Sequence, residues 1–190
     1  MSINTSRLKK FIPYGKQSID QDDIDAVVAV LTSDFLTQGP VIGQFEDEFS
    51  EKVGSKYAVA VSNGTAALHL SLLALGIGPG DEVITTPNSF LATSNSILYV
   101  GATPIFVDIE SDRFGIDISK IEAAITDKTA AIIPVHFAGF PVDLDGILTI
   151  AKKYHLKVIE DSCHALGAEY KSIKIGGCAY SDCSTFSFHP

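Results

Sequence analysis

Two short stretches carry residue types that could do chemistry together. In Lys157-Val158-Ile159-Glu160-Asp161-Ser162-Cys163-His164-Ala165-Leu166-Gly167, a short apolar strand delivers a carboxylate, Asp161, to its carboxyl end. A histidine, His164, follows three residues later as a possible hydrogen-bonding partner. Open α/β sheets bind ligands just beyond the carboxyl ends of their strands, so an acid there is placed to meet one. The same aspartate could instead cap a turn. In Ser62-Asn63-Gly64-Thr65-Ala66-Ala67, a strand ends, Gly64 lets the backbone turn tightly, and a helix starts with the Thr65 and Ala66 amides unpaired. Unpaired amides, the positive end of a helix dipole and a hydroxyl together make a phosphate site. Ser, Asn and Thr are also the usual residues of a plain helix cap.

Three further residues fall at the same rim. Phe90 follows the turn Pro87-Asn88-Ser89 at another strand end, where its ring could stack on a planar ligand or pack between helix and sheet. His136, in Pro134-Val135-His136-Phe137-Ala138-Gly139, points at the rim as well, as a ligand group or as a structural histidine. Cys163, beside Asp161, reads as a small packing residue and not as a nucleophile, since nothing around it would depress its pKa. A ligand with a phosphate, an aromatic ring and a basic ring nitrogen would use the helix-start cradle, the Phe90 ring, His136 and the Asp161–His164 pair together. Pyridoxal phosphate has that description, and its pyridinium needs a carboxylate partner to stay protonated and act as an electron sink.

The elements that must position these residues alternate. After an irregular lead-in over 1–19, broken by Pro13 and Gly15, Asp20 caps a helix that runs through Ile24, Val27, Val28 and Leu31. A loop over 33–40 leads to a helix of about 41–53 with Val41, Phe45, Phe49 and Val53 on one face. From residue 57 the pattern predicts strands at 57–61, 82–86, 103–107, 129–135, 157–161 and 184–188. Helices are expected at 66–75, 90–100, 118–125 and 144–154. Alternation of this kind implies an α/β domain with a largely parallel sheet covered on both faces. Gly76-Ile77-Gly78-Pro79-Gly80 superficially has the look of a dinucleotide loop, but it follows a helix and reads as a helix stop.

Bulk properties agree with one folded domain. The 190 residues are 46% hydrophobic and 19% charged, enough to bury a substantial core. A net charge of −9 with scattered Lys and Arg excludes the clustered basic footprint of a nucleic-acid binder. Small anions are compatible with that charge, because helix N-terminal amides bind them locally. The three cysteines, Cys163, Cys178 and Cys183, match neither a disulfide framework nor a zinc site, and reduced thiols in the cytoplasm are expected. No apolar run reaches the length of a membrane span, and the first ten residues lack the apolar core of a signal peptide. No metal site is expected.

Four segments in collinear order carry a resemblance. Ser62-Asn63-Gly64-Thr65-Ala66-Ala67-Leu68, Thr86-Pro87-Asn88-Ser89-Phe90-Leu91-Ala92-Thr93, residues 160–167 and Phe186-Ser187-Phe188-His189-Pro190 resemble the DegT/DnrJ/EryC1/StrS aminotransferases. These are fold-type I, pyridoxal-phosphate enzymes that act on nucleotide-linked keto sugars. The resemblance covers nearly the whole chain. It implies that residues 1–190 are the N-terminal segment and most of the cofactor-binding large domain, with the C-terminal small domain absent. It implies that Gly64, Thr65, the Ala66 amide and Ser187 hold the phosphate, that Phe90 stacks on the ring, that Asp161 pairs with the pyridine nitrogen and that His164 reaches the 3-hydroxyl side. It also implies L-glutamate as amino donor and a homodimer with sites shared across the interface.

Within the family, Leu36-Thr37-Gln38-Gly39 and residues 162–170 look most like the branch that aminates a UDP-linked 4-keto-6-deoxy sugar in pseudaminic acid synthesis. One departure stands out: the family's Schiff-base lysine is expected a couple of residues beyond Pro190, and no lysine present sits in that motif. The chain therefore reads as a fragment that does not turn over by itself. Two other readings stay open: a sugar 3-dehydratase of the same superfamily, with His at the lysine position, and a non-catalytic binding or dimerisation module.

Overall fold

The computed structural model describes residues 17–189. Pro13, Gly15 and the rest of the lead-in before residue 17 lie outside the described residues. Residues 17–41 with His189, and residues 42–188, form two compact units. In the first, α1 (Gln21–Leu31) starts as foreseen. Asp20 accepts from the Asp22 and Asp23 amides while the Asp23 carboxylate accepts from the Asp20 amide, a reciprocal capping box. The apolar stripe of α1 is not buried: Ile24, Val27, Val28 and Leu31 are all exposed.

The larger unit is built on a five-stranded sheet. Its strands are β1 (Glu82–Thr85), β2 (Thr103–Phe106), β3 (Thr129–Ile132), β4 (Lys157–Asp161) and β7 (Cys183–Thr185), in the order β2-β1-β3-β4-β7. Every pairing is parallel, with Ile84 opposite Ile105 and Ile132, and Ile132 opposite Val158. Parallel neighbours need crossovers, and from β1 to β4 helices supply them: α4 (Leu91–Tyr99) links β1 to β2, α5 (Ile118–Ala124) β2 to β3, and α6 (Leu144–Tyr154) β3 to β4, while α3 (Gly64–Ala74) precedes β1. Consecutive strand residues divide between the two faces, as a period of two requires. Ile84, Ile132 and Val158 pack with Ile121, Leu144 and Ile147 of α5 and α6. Their neighbours Val83, Ala131 and Ile159 pack with Leu68, Leu72 and Ile97 of α3 and α4. Each such Ile or Leu side chain contributes about 1.5–3 kcal/mol through burial.

The glycine-rich segment after α3 is a helix stop. The Ile77 amide donates to the Leu72 carbonyl and the Gly76 amide to the Leu73 carbonyl, with Gly76 at φ +77°, the left-handed value that lets the chain leave the helix.

Three differences from the expected elements have physical causes. Residues 57–61 are not in a strand; Tyr57 and Val59 are 75% and 78% exposed. Alternation and β-branching favour a strand only where another strand pairs with it, and among the described residues none does. The last strand ends at Thr185, because Phe186 and Phe188 leave the ladder for an aromatic cluster with Phe49 of α2 (Pro40–Val53); Phe45 of α2 completes that cluster. A short hairpin, β5 (Glu169–Tyr170) and β6 (Ile173–Lys174), was not expected. Its turn residues Lys171 and Ser172 adopt positive φ without glycine, so the usual turn signal is missing.

Candidate functional site

Asp161 ends β4 on the side facing α3 and α4, the face its neighbour Ile159 shares. Its backbone is held on one side by the Asp161 amide donating to the Pro134 carbonyl (2.9 Å) and the His136 amide donating to the Asp161 carbonyl (3.1 Å). Its side chain is 4% exposed. The Thr93 hydroxyl, from the first turn of α4, donates to Oδ2 at 2.6 Å, and the Cys163 amide donates to Oδ1 at 3.3 Å. Asp161 is thus a buried, oriented carboxylate that also caps its own turn through the Cys163 amide.

Phe90 precedes α4 in extended conformation, and the Thr93 amide donates to its carbonyl at 3.1 Å. The Phe90 ring is 75% exposed. That exposure disfavours the helix–sheet packing reading and leaves a ring face available beside the strand ends.

The N-terminus of α3 meets the same rim through Gly64. A Cβ built at Gly64 would lie 3.1 Å from Cys163 Sγ and 3.1 Å from Ser187 Cβ. Only the missing side chain lets the helix start come this close to the end of β4 and to the segment after β7. Asn63 caps the helix by accepting from the Ala66 amide at 2.9 Å, so an anion drawn to that amide would share or replace this bond. The Gly64 and Thr65 amides, at the first turn, have no helical carbonyl behind them to donate to. Gly64, Thr65, Ser187, Cys163, Asp161, Thr93 and Phe90 therefore form one contiguous rim. His164 follows on the same turn and is exposed.

His136 does not join the rim. It is fully buried, and its Nε2 lies 2.8 Å from Glu160 Oε2 on the other face of the sheet. Rim position along a strand does not tell which face a residue takes, and here the chain turns the ring inward. Cys163 is a packing residue: burial, with the Asp161 charge second, pushes its thiol well above the usual cysteine range, which disfavours the thiolate a nucleophile needs.

Thr93 is the candidate-site residue that sequence reasoning missed. It lies in the motif with Phe90, one helical turn on, and a threonine in the first turn of a helix that follows a strand end was the available signal. The assembled groups fit a phosphorylated pyridine cofactor. Gly64 opens a cradle that a Cβ would fill, Thr65 and Ser187 bring hydroxyls, Phe90 offers a bare ring, and Asp161 offers an oriented carboxylate.

Comparison with known proteins decides the family. Residues 17–190 match the DegT/DnrJ/EryC1/StrS aminotransferase family. The chain belongs to that family. Among curated relatives, the spore coat polysaccharide biosynthesis protein SpsC of Bacillus subtilis is 48% identical over 179 residues, 94% of this chain and 46% of SpsC. The chain thus spans about half the length of the curated relatives it matches. Among solved structures, the aminotransferase from Psychrobacter cryohalolentis is 44% identical with a TM-score of 0.87, over 93% of this chain and 45% of that one. NtdA from Bacillus subtilis, with bound cofactor PMP, is 43% identical with a TM-score of 0.81, over 90% and 39%. Helicobacter pylori PseC, an aminotransferase involved in the biosynthesis of pseudoaminic acid, is 38% identical with a TM-score of 0.88, over 95% and 48%. The fold is that of about half of a fold-type I aminotransferase. As a DegT/DnrJ/EryC1/StrS family member, the chain has more identities with SpsC than with PseC, so the pseudaminic acid branch is one kinship among several.

Proposed function

We propose that this chain is the cofactor-holding portion of a sugar aminotransferase, and that its rim binds pyridoxal phosphate. The carrying observation is that Gly64 brings the α3 N-terminus within a Cβ's width of Cys163 and Ser187 while Asp161, two residues from Cys163, is held by Thr93. When bound, the cofactor supplies an electron sink through its pyridinium ring. Thr65, Ser187 and the first-turn amides of α3, that of Ala66 among them, would bind the phosphate. Phe90 would cover one ring face and exclude water from it. Asp161 would hold the proton on the ring nitrogen, and His164 would reach the ring hydroxyl from the solvent side. The lysine that carries the proton in transfer would lie beyond Pro190.

The full enzyme would aminate a UDP-linked 4-keto-6-deoxy sugar with L-glutamate as donor, as a homodimer with shared sites. Family membership supports the reaction class, and likeness to PseC supports this sugar class.

The test is an absorbance titration of the purified chain with pyridoxal phosphate, before and after borohydride. A saturable spectral change is expected, weakened by Asp161→Asn, with the cofactor still extractable after borohydride. A chain folded by far-UV circular dichroism that leaves the cofactor spectrum unchanged would overturn the binding reading. Covalent fixation to one lysine would overturn the placement of the reactive lysine beyond Pro190.

A further inference from the structure

The residue before Asp161 is also a carboxylate, and it faces the other way. Glu160 is 2% exposed and lies on the α5/α6 side of the sheet with Val158, while Asp161 lies on the α3/α4 side with Ile159. Glu160 Oε2 meets His136 Nε2 at 2.8 Å, and Oε1 accepts from the Ser181 hydroxyl. The Val142 amide donates to His136 Nδ1 at 3.3 Å, which leaves the ring proton on Nε2, where it donates to Glu160. His136 in turn uses its own amide to hold the Asp161 carbonyl. One residue thus grips β4 twice, by backbone at Asp161 and by side chain at Glu160.

Stability alone is a weak reason for this arrangement. A buried polar pair costs desolvation that a well-packed apolar pair avoids, and exchanging one for the other is often neutral or stabilising. The pair does supply direction. Because successive side chains of a strand point to opposite faces, anchoring Glu160 fixes the rotation of β4 about its axis and so the bearing of Asp161. We propose that His136 and Glu160 are positioning residues that set the aim of the Asp161 carboxylate from behind the sheet. Their consequence for cofactor binding rests on the reading above; their effect on Asp161 does not.

The experiment compares the chain with His136→Leu/Glu160→Met, which removes both polar side chains and keeps apolar volume, and with Glu160→Gln, whose amide oxygen can still accept from His136 Nε2 while its NH2 donates to the Ser181 hydroxyl. The expected result for the double variant is a melting temperature equal to or above that of the parent. Its pyridoxal phosphate dissociation constant should be about tenfold weaker, the lower end of losses when supporting partners of a ligand group are removed. Glu160→Gln should keep the parent affinity. The carboxyl ¹³C resonance of Asp161, identified by its loss in Asp161→Asn, should move in the double variant without any cofactor present. A stable double variant with an unmoved resonance overturns the positioning role, whatever the chain binds. If the resonance moves but the parent itself binds no cofactor, the positioning role stands and the cofactor reading fails.

Discussion

The Thr93 hydroxyl donates to Asp161 Oδ2 across 2.6 Å, with both side chains buried, joining α4 to β4 across 68 positions of sequence. A hydroxyl spent on one carboxylate oxygen fixes how the other is presented. Thr93→Val keeps the shape and removes the donor, leaving a buried acceptor short of a partner at a cost of about 1–3 kcal/mol. Denaturant unfolding should register that loss, and cofactor titration should show binding weakened by a clear margin. Thr93→Ser should retain most of both. Equal cofactor affinity in the Val and Ser variants would remove Thr93 from the site.

Gly64→Ala tests the cradle from the other side. The new methyl would stand 3.1 Å from Cys163 Sγ and Ser187 Cβ, closer than side chains normally pack, so the helix start or the β4 turn must shift. Overpacking of this kind costs about 1–3 kcal/mol. Affinity for pyridoxal phosphate should fall by more than that for pyridoxal, which lacks the phosphate the cradle is proposed to hold. Adding Cys163→Ala frees space at one of the two contacts and should return part of the lost stability. A Gly64→Ala variant that loses both ligands equally would mean that the rim has no dedicated phosphate end.

Much of this organisation could be read before any coordinates. The strands at β1 to β4 were legible because each is a short apolar run between turn residues, and the helix stop at Gly76 because glycine follows a Leu-rich helix. Residues 57–61 have the same alternation, yet pattern cannot report whether a pairing strand is present. Asp161, Phe90 and Gly64 were legible as site candidates because each directly follows or ends a strand or starts a helix. Thr93 and the Glu160–His136 pair were not. Their meaning lies in which face of the sheet or helix they take and in partners 68 and 24 positions away, which no local signal encodes.

The cysteines make a pH prediction with a definite sign. Burial is the largest cause raising the Cys163, Cys178 and Cys183 thiols above their ordinary range. An acid whose pKa is raised by folding keeps its full contribution below its unfolded value and loses it as pH climbs toward the folded one. Stability should therefore decline from about pH 8.5 upward, where unfolded thiols begin to ionise. Cys163→Ala should flatten that decline in urea titrations run between neutral and alkaline pH. In the native chain, Cys163 should react with a disulfide reagent far more slowly than a free thiol at neutral pH. Rapid labelling of Cys163 under native conditions would contradict its half-buried, charge-adjacent setting.

Phe90 separates binding from packing most cleanly, because its ring is already mostly in solvent. A packing role predicts that Phe90→Ala costs about 3–5 kcal/mol, as large-to-small changes do in a core. A stacking role predicts almost no change in unfolding free energy and a clear loss of cofactor affinity, since one face of the pyridine ring would lose its cover. Phe90→Tyr keeps the ring and should keep the affinity; Phe90→Leu keeps apolar volume without a flat face and should fall between Tyr and Ala. Measuring urea midpoints and pyridoxal phosphate dissociation constants on the parent and these three variants resolves the two roles. Affinity that tracks ring planarity while the midpoints stay level is the expected pattern, and midpoints that fall in step with affinity would assign Phe90 to packing instead.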